Sequence, residues 1–235
     1  MQIYSKIVFM RLRNIPEAKG IVENSKYVIK APEKRRGLWK QDPSRQLFLE
    51  IGMGKGRFLM ELSGLHPENE YIGLERYESV LCRACEKMEG IPAKDPASIL
   101  EEKENGRDRK AFVSPENLHF LSMDAARLPE VFAPGETDGI FLNFSDPWPK
   151  ARHAKRRLTS AGFLAIYEKI LKDGGTLEFK TDNRILFDFS VQEIGNAPRW
   201  EITELSYDLH HDPVLSRDNI MTEYERKFSA LGNKT

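Results

Sequence analysis

The chain has 235 residues, with Lys+Arg and Asp+Glu equal at 36 each and a formal net charge of zero. That length suits one α/β domain with a sizeable core, and the charge balance speaks against a uniformly basic nucleic-acid binder, so affinity for phosphate must come from local asymmetry. Two cysteines are too few for a disulfide scaffold, no apolar run reaches transmembrane length, and the N-terminus lacks a signal-peptide pattern, so a reduced, cytoplasmic protein is expected.

Residues 1–40 are expected to form a basic N-terminal arm, either mobile and solvated or helping to grip phosphates, because Arg11, Arg13, Lys26, Lys30, Lys34, Arg35 and Arg36 fall in an irregular stretch. Met10-Arg11-Leu12-Arg13 reads as a second possible start, which would make the first nine residues dispensable. Residues 41–235 read as one domain. Leu47 to Glu50 is a short apolar strand, and Glu50-Ile51-Gly52-Met53-Gly54-Lys55-Gly56-Arg57-Phe58 then gives a glycine turn leading into a helical pattern, the start of a βαβ unit. A dinucleotide fingerprint beginning at Gly52 requires glycine where Arg57 stands, so G-x-G-x-x-G fails. E-x-G-x-G-x-G instead suits a nucleotide-type methyl donor held by Gly52, Gly54 and Gly56, with Glu50 at the strand end facing it; a purely structural turn is the alternative.

Tyr71 to Glu75 is the second strand, and Glu75 at its end suits a carboxylate that accepts hydrogen bonds from ribose hydroxyls, a use shared by NAD and S-adenosylmethionine. Glu78 to Glu89 reads as a helix with Cys82 and Cys85 on one face. No second Cys/His pair lies at zinc spacing, so two buried, apolar-like cysteines are expected rather than a redox or metal pair. Residues 90–116 are polar, carry three prolines and read as a surface insertion. Leu118 to Met123 is the third strand; Asp124 after it serves either an adenine amino group or the N-cap of a short helix.

The stretch from Gly139 to Arg157 is the most informative. Ile140 to Phe144 reads as a buried strand, and Asn143-Phe144-Ser145-Asp146-Pro147-Trp148-Pro149 follows on a turn stiffened by two prolines. Asp146 and the Trp148 ring thus stand at the carboxyl end of a strand, where open α/β sheets bind ligands. Lys150-Ala151-Arg152-His153-Ala154-Lys155-Arg156-Arg157 comes next, with cations that suit phosphate beside a ring that suits a base. Thr159 is expected to cap a helix carrying Phe163, Leu164, Ile166, Tyr167, Ile170 and Leu171, ended by Gly174-Gly175. A strand Thr176–Lys180 ending in Asp182 and a helix Arg184–Ile194 follow. Trp200 to Asp208 alternates like a half-exposed antiparallel strand, His210 and His211 read as loop histidines, and Thr222-Glu223-Tyr224-Glu225 opens a last strand through Phe228.

Acids therefore end five strands: Glu50, Glu75, Asp124, Asp146 and Asp182. Such an edge suits a hydroxyl- and amino-rich ligand with a sulfonium charge. A guanine fits as its partner, because its N1–H and N2–H₂ are two parallel donors for one carboxylate, Asp182 or Glu225, whereas adenine would leave that carboxylate unpaired. Two other classes compete: an NAD-dependent oxidoreductase, opposed by Arg57, and a non-catalytic RNA-binding protein, opposed by the intact acids.

Leu49-Glu50-Ile51-Gly52-x-Gly54-Lys55-Gly56, Asn143 to Lys150, His153-x-Lys155-Arg156-Arg157-Leu158-Thr159, Phe179-Lys180-Thr181-Asp182-Asn183 and Thr222-x-Tyr224-Glu225 together resemble the bacterial tRNA (guanine-N7-)-methyltransferase family over residues 10–230. The resemblance implies a Rossmann-like methyltransferase fold: a mostly parallel seven-stranded sheet with one antiparallel strand and helices on both faces. It implies S-adenosyl-L-methionine as donor, S-adenosyl-L-homocysteine as product and a variable-loop guanosine of tRNA as substrate, with no metal, membrane or obligate protein partner. Glu50, Glu75, Asp124 and Asp146 would contact the donor, with Asp146 also at the catalytic centre. Lys150, Asp182, Thr222, Glu223, Tyr224 and Glu225 would contact the substrate, and Arg152, His153, Ala154, Lys155, Arg156 and Arg157 would touch RNA. Residues 90–116 look longer than the family's pattern.

Overall fold

The computed structural model describes residues 15–40, 42–91, 115–229 and 234–235. Five strands, β1 (Leu47–Ile51), β2 (Glu70–Glu75), β3 (Leu118–Ser122), β4 (Thr137–Asn143) and β5 (Leu171–Lys180), form one sheet in the order β3-β2-β1-β4-β5. Every pair is parallel, so all five strands end at the same edge. The chain winds outward from β1 to β2 and β3, then returns to place β4 on the other side of β1. The order reverses between β1 and β4, and a crevice opens there at the strand ends.

Alternation along the strands builds two cores. Leu47, Leu49, Ile51, Ile72, Leu74, Ile140 and Leu142 face one side, with Trp39, Phe132, Leu164, Tyr167 and Ile170. Phe48, Tyr71, Leu118, Phe120 and Phe141 face the other, under helices α1 (Ala18–Asn24), α2 (Arg57–Leu65) and α3 (Glu78–Met88). A short α4 (Leu128–Val131), then α5 (Ala161–Ile170) and α6 (Arg184–Gly195) belong to the first side, and α7 (Glu223–Ser229) closes the described chain near the crevice. Cys82 and Cys85 are buried thiols of α3, and burial pushes Cys85 up to about 11, which suits packing rather than reactivity.

The N-terminal segment is more tightly bound than an arm. Residues 1–14 lie outside the described residues, but from Ile15 the chain packs on the sheet. Ala18 and Val22 enter the core, Val28 forms a parallel bridge to Phe120, and Trp39 stacks on Phe132 at 5.2 Å while its Nε1 donates to Val131 O. Lys30 donates to the carbonyls of Val22 and Ser25, and Arg36 to that of Pro129. Most of the expected surface insertion, residues 92–114, falls outside the described residues.

Several sequence expectations change. The seven-stranded sheet with an antiparallel member is, among the described residues, a five-stranded parallel one. Trp200 to Asp208 forms no strand: Trp200 is tied to α5 through Glu168, and Tyr207 packs edge-on against Phe187 of α6 with Arg184 over its ring. Those contacts anchor the two ends of the segment on α5 and α6. Thr222 to Phe228 is helical because Thr222 and Glu225 close a capping box: Glu225 N donates to Thr222 Oγ1 at 3.0 Å, and Thr222 N to Glu225 Oε2 at 3.3 Å. Also, Ser160 rather than Thr159 precedes α5, Thr159 being buried against Ser190, and β5 starts at Leu171 with Gly174-Gly175 inside it.

Candidate active site

The glycine turn after β1 is built as its spacing demands. Gly52, Gly54 and Gly56 have φ of 77°, 58° and 78°, the left-handed region that disfavours side chains. A Cβ on Gly56 would lie 3.2 Å from Met60 Cε and 3.3 Å from Ala84 Cβ, so glycine also lets α2 approach α3. The turn hangs on β2: Gly52 N and Met53 N both donate to Leu74 O. Glu75 then receives Gly54 N at 3.2 Å and Tyr77 N at 2.9 Å, which fixes its carboxylate beside the turn. Burial raises its pKa, opposed by those backbone donors, and the charge of Asp146 raises it further, so the loop after β4 is electrostatically coupled to the end of β2.

A cleft of about 160 Å³ opens at the reversal of strand order. Glu50, Gly52, Gly54, Arg57 and Phe58 form one wall, Asn143 and Phe144 a second, and Thr222, Glu223 and Tyr224 a third. Glu50 is 2 % exposed; its Oε1 accepts from Asn143 Nδ2 at 2.8 Å, and its Oε2 is buried with no protein partner. Burial dominates and pushes its pKa up to about 8, despite the Asn143 hydrogen bond and Lys180. A carboxyl in this state is poised for a cationic or N–H donor brought by a ligand.

The loop after β4 is unusual in its backbone. Phe144 and Trp148 adopt φ of 52° and 41°, positions that cost non-glycine residues of order 1–3 kcal/mol each and that cluster at functional sites. Phe144 N donates to Lys180 O, and the Phe144 ring lies 5.0 Å from that of Tyr224. Asp146 is exposed at the edge, as is Lys150. Residues 151–156 form a 3₁₀ turn on which Arg152, Lys155 and Arg156 are exposed, and Trp148 sits between Arg156 (4.9 Å) and His153 (5.7 Å, edge-on). Arg157 does not share this surface. It is 6 % exposed and turns inward.

Thr222 to Glu225, expected to meet the substrate as a group, divides in two. Thr222, Glu223 and Tyr224 line the cleft, and Tyr224 OH donates to Asp182 Oδ2 at 3.0 Å. Burial first, and then the Asp182 charge, push the Tyr224 phenol up to about 12, so it remains a donor. Glu225 is fully buried behind them: Lys180 Nζ at 3.2 Å and Thr222 N meet Oε2, while Asn219 Nδ2 at 2.7 Å and His210 Nε2 at 2.9 Å meet Oε1. Burial alone would raise Glu225, but Lys180 and the other donors hold it below the usual carboxylate range. Each of its oxygens accepts two hydrogen bonds from within the fold. Glu223 pairs with Lys87 of α3, and Arg226 with Glu61 of α2, which fasten α7 across the cleft.

The sheet thus brings Glu50, Glu75, Asp146 and Asp182 to one edge. Asp124 belongs to the same edge but caps the following turn through Ala126 N at 2.9 Å and lies 3.7 Å from Arg76. Sequence reasoning gave no role to Asn143, Phe144, Lys180 or His210. The T-x-x-E spacing of a capping box was the available signal for α7; a strand-end lysine carries none. Among the described residues no group of three or more His, Cys, Asp or Glu is placed to hold a metal ion, and no helix is long and apolar enough to cross a membrane.

A parallel sheet with a three-glycine turn after β1, a buried acid on β1, an acid ending β2 and an acid-lined cleft where strand order reverses defines the class of Rossmann-like methyltransferases. Comparison with known proteins narrows the class. Residues 44–235 match the model of a family described as "Putative methyltransferase". The chain is 44 % identical over 226 residues, 95 % of its length and 94 % of the relative's, to a tRNA (guanine-N(7)-)-methyltransferase of Lachnoclostridium phytofermentans. It is 42 % identical over 227 residues to the protein of the same name from an Exiguobacterium species, covering 95 % and 94 % of the two chains. Among solved structures, the aminoglycoside resistance methyltransferase NpmB1 aligns with 68 % of this chain and 66 % of its own at 21 % identity and a TM-score of 0.42. The chain belongs to the tRNA (guanine-N(7)-)-methyltransferase family.

Proposed function

We propose that the protein transfers a methyl group from S-adenosyl-L-methionine to N7 of a guanosine in the variable loop of tRNA. The observation that carries this reading is a cleft at the β1–β4 reversal that holds the buried Glu50 carboxyl, in a chain 44 % identical, over 95 % of its length, to an enzyme of that name. The donor fits the residues present. The orphaned, buried Oε2 of Glu50 suits the donor's amino group, and Glu75, anchored by two backbone amides, suits its ribose hydroxyls. Asp124 lies farther along the edge, where it would meet the adenine amino group.

Bound there, the donor supplies an electrophilic methyl on a sulfonium. Guanine N7 has a free lone pair, so no general base is required: the N7–carbon bond forms as the carbon–sulfur bond breaks, and its electron pair stays on sulfur. The protein has to align the two atoms and accept a cationic base. Asp146, exposed on the strained loop, is assigned that task. Asp182, held by Tyr224 OH, is the better-placed reader of the guanine edge, since Glu225 is closed by internal donors. Thr222, Glu223 and Tyr224 wall the space between donor and base, and Lys150, exposed after the loop, would reach the substrate from outside. Arg152, Lys155 and Arg156 supply the phosphate-facing cations, with His153 beside them against Trp148, and the reading places the protein in the cytoplasm with its tRNA.

The test is methyl incorporation from labelled donor into unmodified tRNA, followed by nuclease digestion. 7-Methylguanosine from the variable loop is expected. A different methylated nucleoside would overturn the guanine assignment, and no label with donor binding intact would overturn the substrate.

A further inference from the structure

We infer that Arg157 is a positioning residue for methyl transfer, clamping the Asp146 loop from inside the fold, and is not one of the phosphate contacts its Lys-Arg-Arg setting suggests. The inference rests on the methyltransferase reading and deepens it.

Arg152, Lys155 and Arg156 are exposed, whereas Arg157 is 6 % exposed. Its Nε donates to Pro147 O at 2.9 Å and its Nη2 to Trp148 O at 3.2 Å, and its guanidinium lies 4.3 Å from the Phe189 ring centre. Phe189 belongs to α6, so the loop, the basic turn and α6 meet at this one side chain. The backbone of Arg157 is fixed at both ends: its N–H donates to Ala154 O, and its carbonyl accepts from Ser160 N.

The loop needs such a clamp. Pro147 and Pro149 have no N–H to give, and among the described residues 145–149 no backbone hydrogen bond is made. The two bonds from Arg157 are the hydrogen bonds that hold this segment, and they fall on the carbonyls around Trp148, whose φ of 41° is disfavoured for any side chain. Asp146 directly precedes the first of these carbonyls. The planar guanidinium reaches two successive carbonyls at once, a geometry an ammonium does not reproduce. Releasing them would let Asp146 drift, and a displacement near 1 Å at a reacting centre costs on the order of 100-fold in rate.

The experiment compares wild type with Arg157→Ala, Arg157→Lys and Arg156→Ala. It reads kcat and KM with unmodified tRNA and labelled donor, tRNA Kd over a salt series, and hydrogen exchange of the bonded amides that flank the loop, Phe144 and His153. Both Arg157 variants should lose kcat about 10- to 100-fold, keep donor and tRNA Kd within about twofold, keep the wild-type salt slope and exchange faster at these amides. Added guanidinium at millimolar level should restore part of the kcat of Arg157→Ala. Arg156→Ala should instead weaken tRNA binding and lower the salt slope by about one. An Arg157→Ala protein with weaker tRNA binding, a reduced salt slope and intact kcat would overturn the inference, as would unchanged exchange at these amides. If Arg157→Ala fails to fold, Arg157→Lys carries the same readouts. If wild type makes no 7-methylguanosine, the methyltransferase reading fails by itself, and the exchange comparison still decides whether Arg157 holds the loop.

Discussion

Replacing Glu50 with Gln tests the chemistry of the cleft without changing its shape. Glu50 is buried, spends one oxygen on Asn143 and leaves the other without a partner, and burial raises its pKa from 4.5 to about 8. In the folded, ligand-free protein the group therefore keeps its proton between about pH 4.5 and about 8, while the unfolded chain loses it. A carboxyl raised on folding favours the folded state fully below its unfolded pKa, and that contribution is lost as pH rises through the folded pKa. Each pH unit inside the window costs about 1.4 kcal/mol, so about 3 kcal/mol is lost between pH 6 and pH 8. For a domain of this size that corresponds to a fall in Tm of roughly 6–12 °C. Glu50→Gln keeps the acceptor for Asn143 and removes the titration, so its Tm should vary less over the same range by that amount. Thermal melts of both proteins without ligand, from pH 5 to pH 9, make the comparison. S-adenosylhomocysteine should release close to one proton at pH 7 on binding wild type and almost none on binding the variant, read by calorimetry in buffers of different ionisation enthalpy. Parallel Tm profiles would refute the protonated, orphaned carboxyl, and equal proton release would refute its assignment to the donor's amino group.

Asp146→Ala should lower kcat on the order of 100- to 1000-fold while tRNA Kd stays within about twofold, because it removes an interaction made at the reacting centre; equal losses in turnover and affinity would reassign Asp146 to RNA binding. Glu225→Ala leaves the Lys180 ammonium, Asn219, His210 and Thr222 N without their shared acceptor in a buried setting. Breaking a buried pair from one side costs about 3–5 kcal/mol. Urea denaturation should show that loss, with faster hydrogen exchange over 219–229, whereas a loss of tRNA affinity at unchanged stability would mean that Glu225 faces the substrate after all.

Much of the site was legible because its signals are local. A glycine needed for a left-handed turn, an acid ending a strand and prolines stiffening a loop all act within a few residues, so Glu50, Gly52, Gly54, Gly56, Glu75 and Asp146 could be placed on one edge before any coordinates. The order of strands followed from the βαβ rhythm up to β5. The C-terminal part did not, because Trp200 to Asp208 alternates like a strand and Thr222 to Phe228 reads as another, while their structure is set by partners elsewhere. Trp200 is drawn to Glu168 and Tyr207 to Phe187, and the Thr222–Glu225 capping box outweighs the alternation.

Adjacent residues of one charge run show the division best. Arg156 and Arg157 are chemically alike and look equivalent in sequence. That a cationic run follows a proline-stiffened acid at the end of a strand can be read from residue order alone, because composition and order are all that such a statement needs. Which cation faces solvent, and which is buried against Phe189 with its donors on Pro147 and Trp148, depends on long-range packing. The 3₁₀ turn ends at Arg156, and the chain bends inward at the next residue to start α5. Burial depends on what α6 and the loop bring to that point, and no stretch of sequence around Arg157 contains those partners.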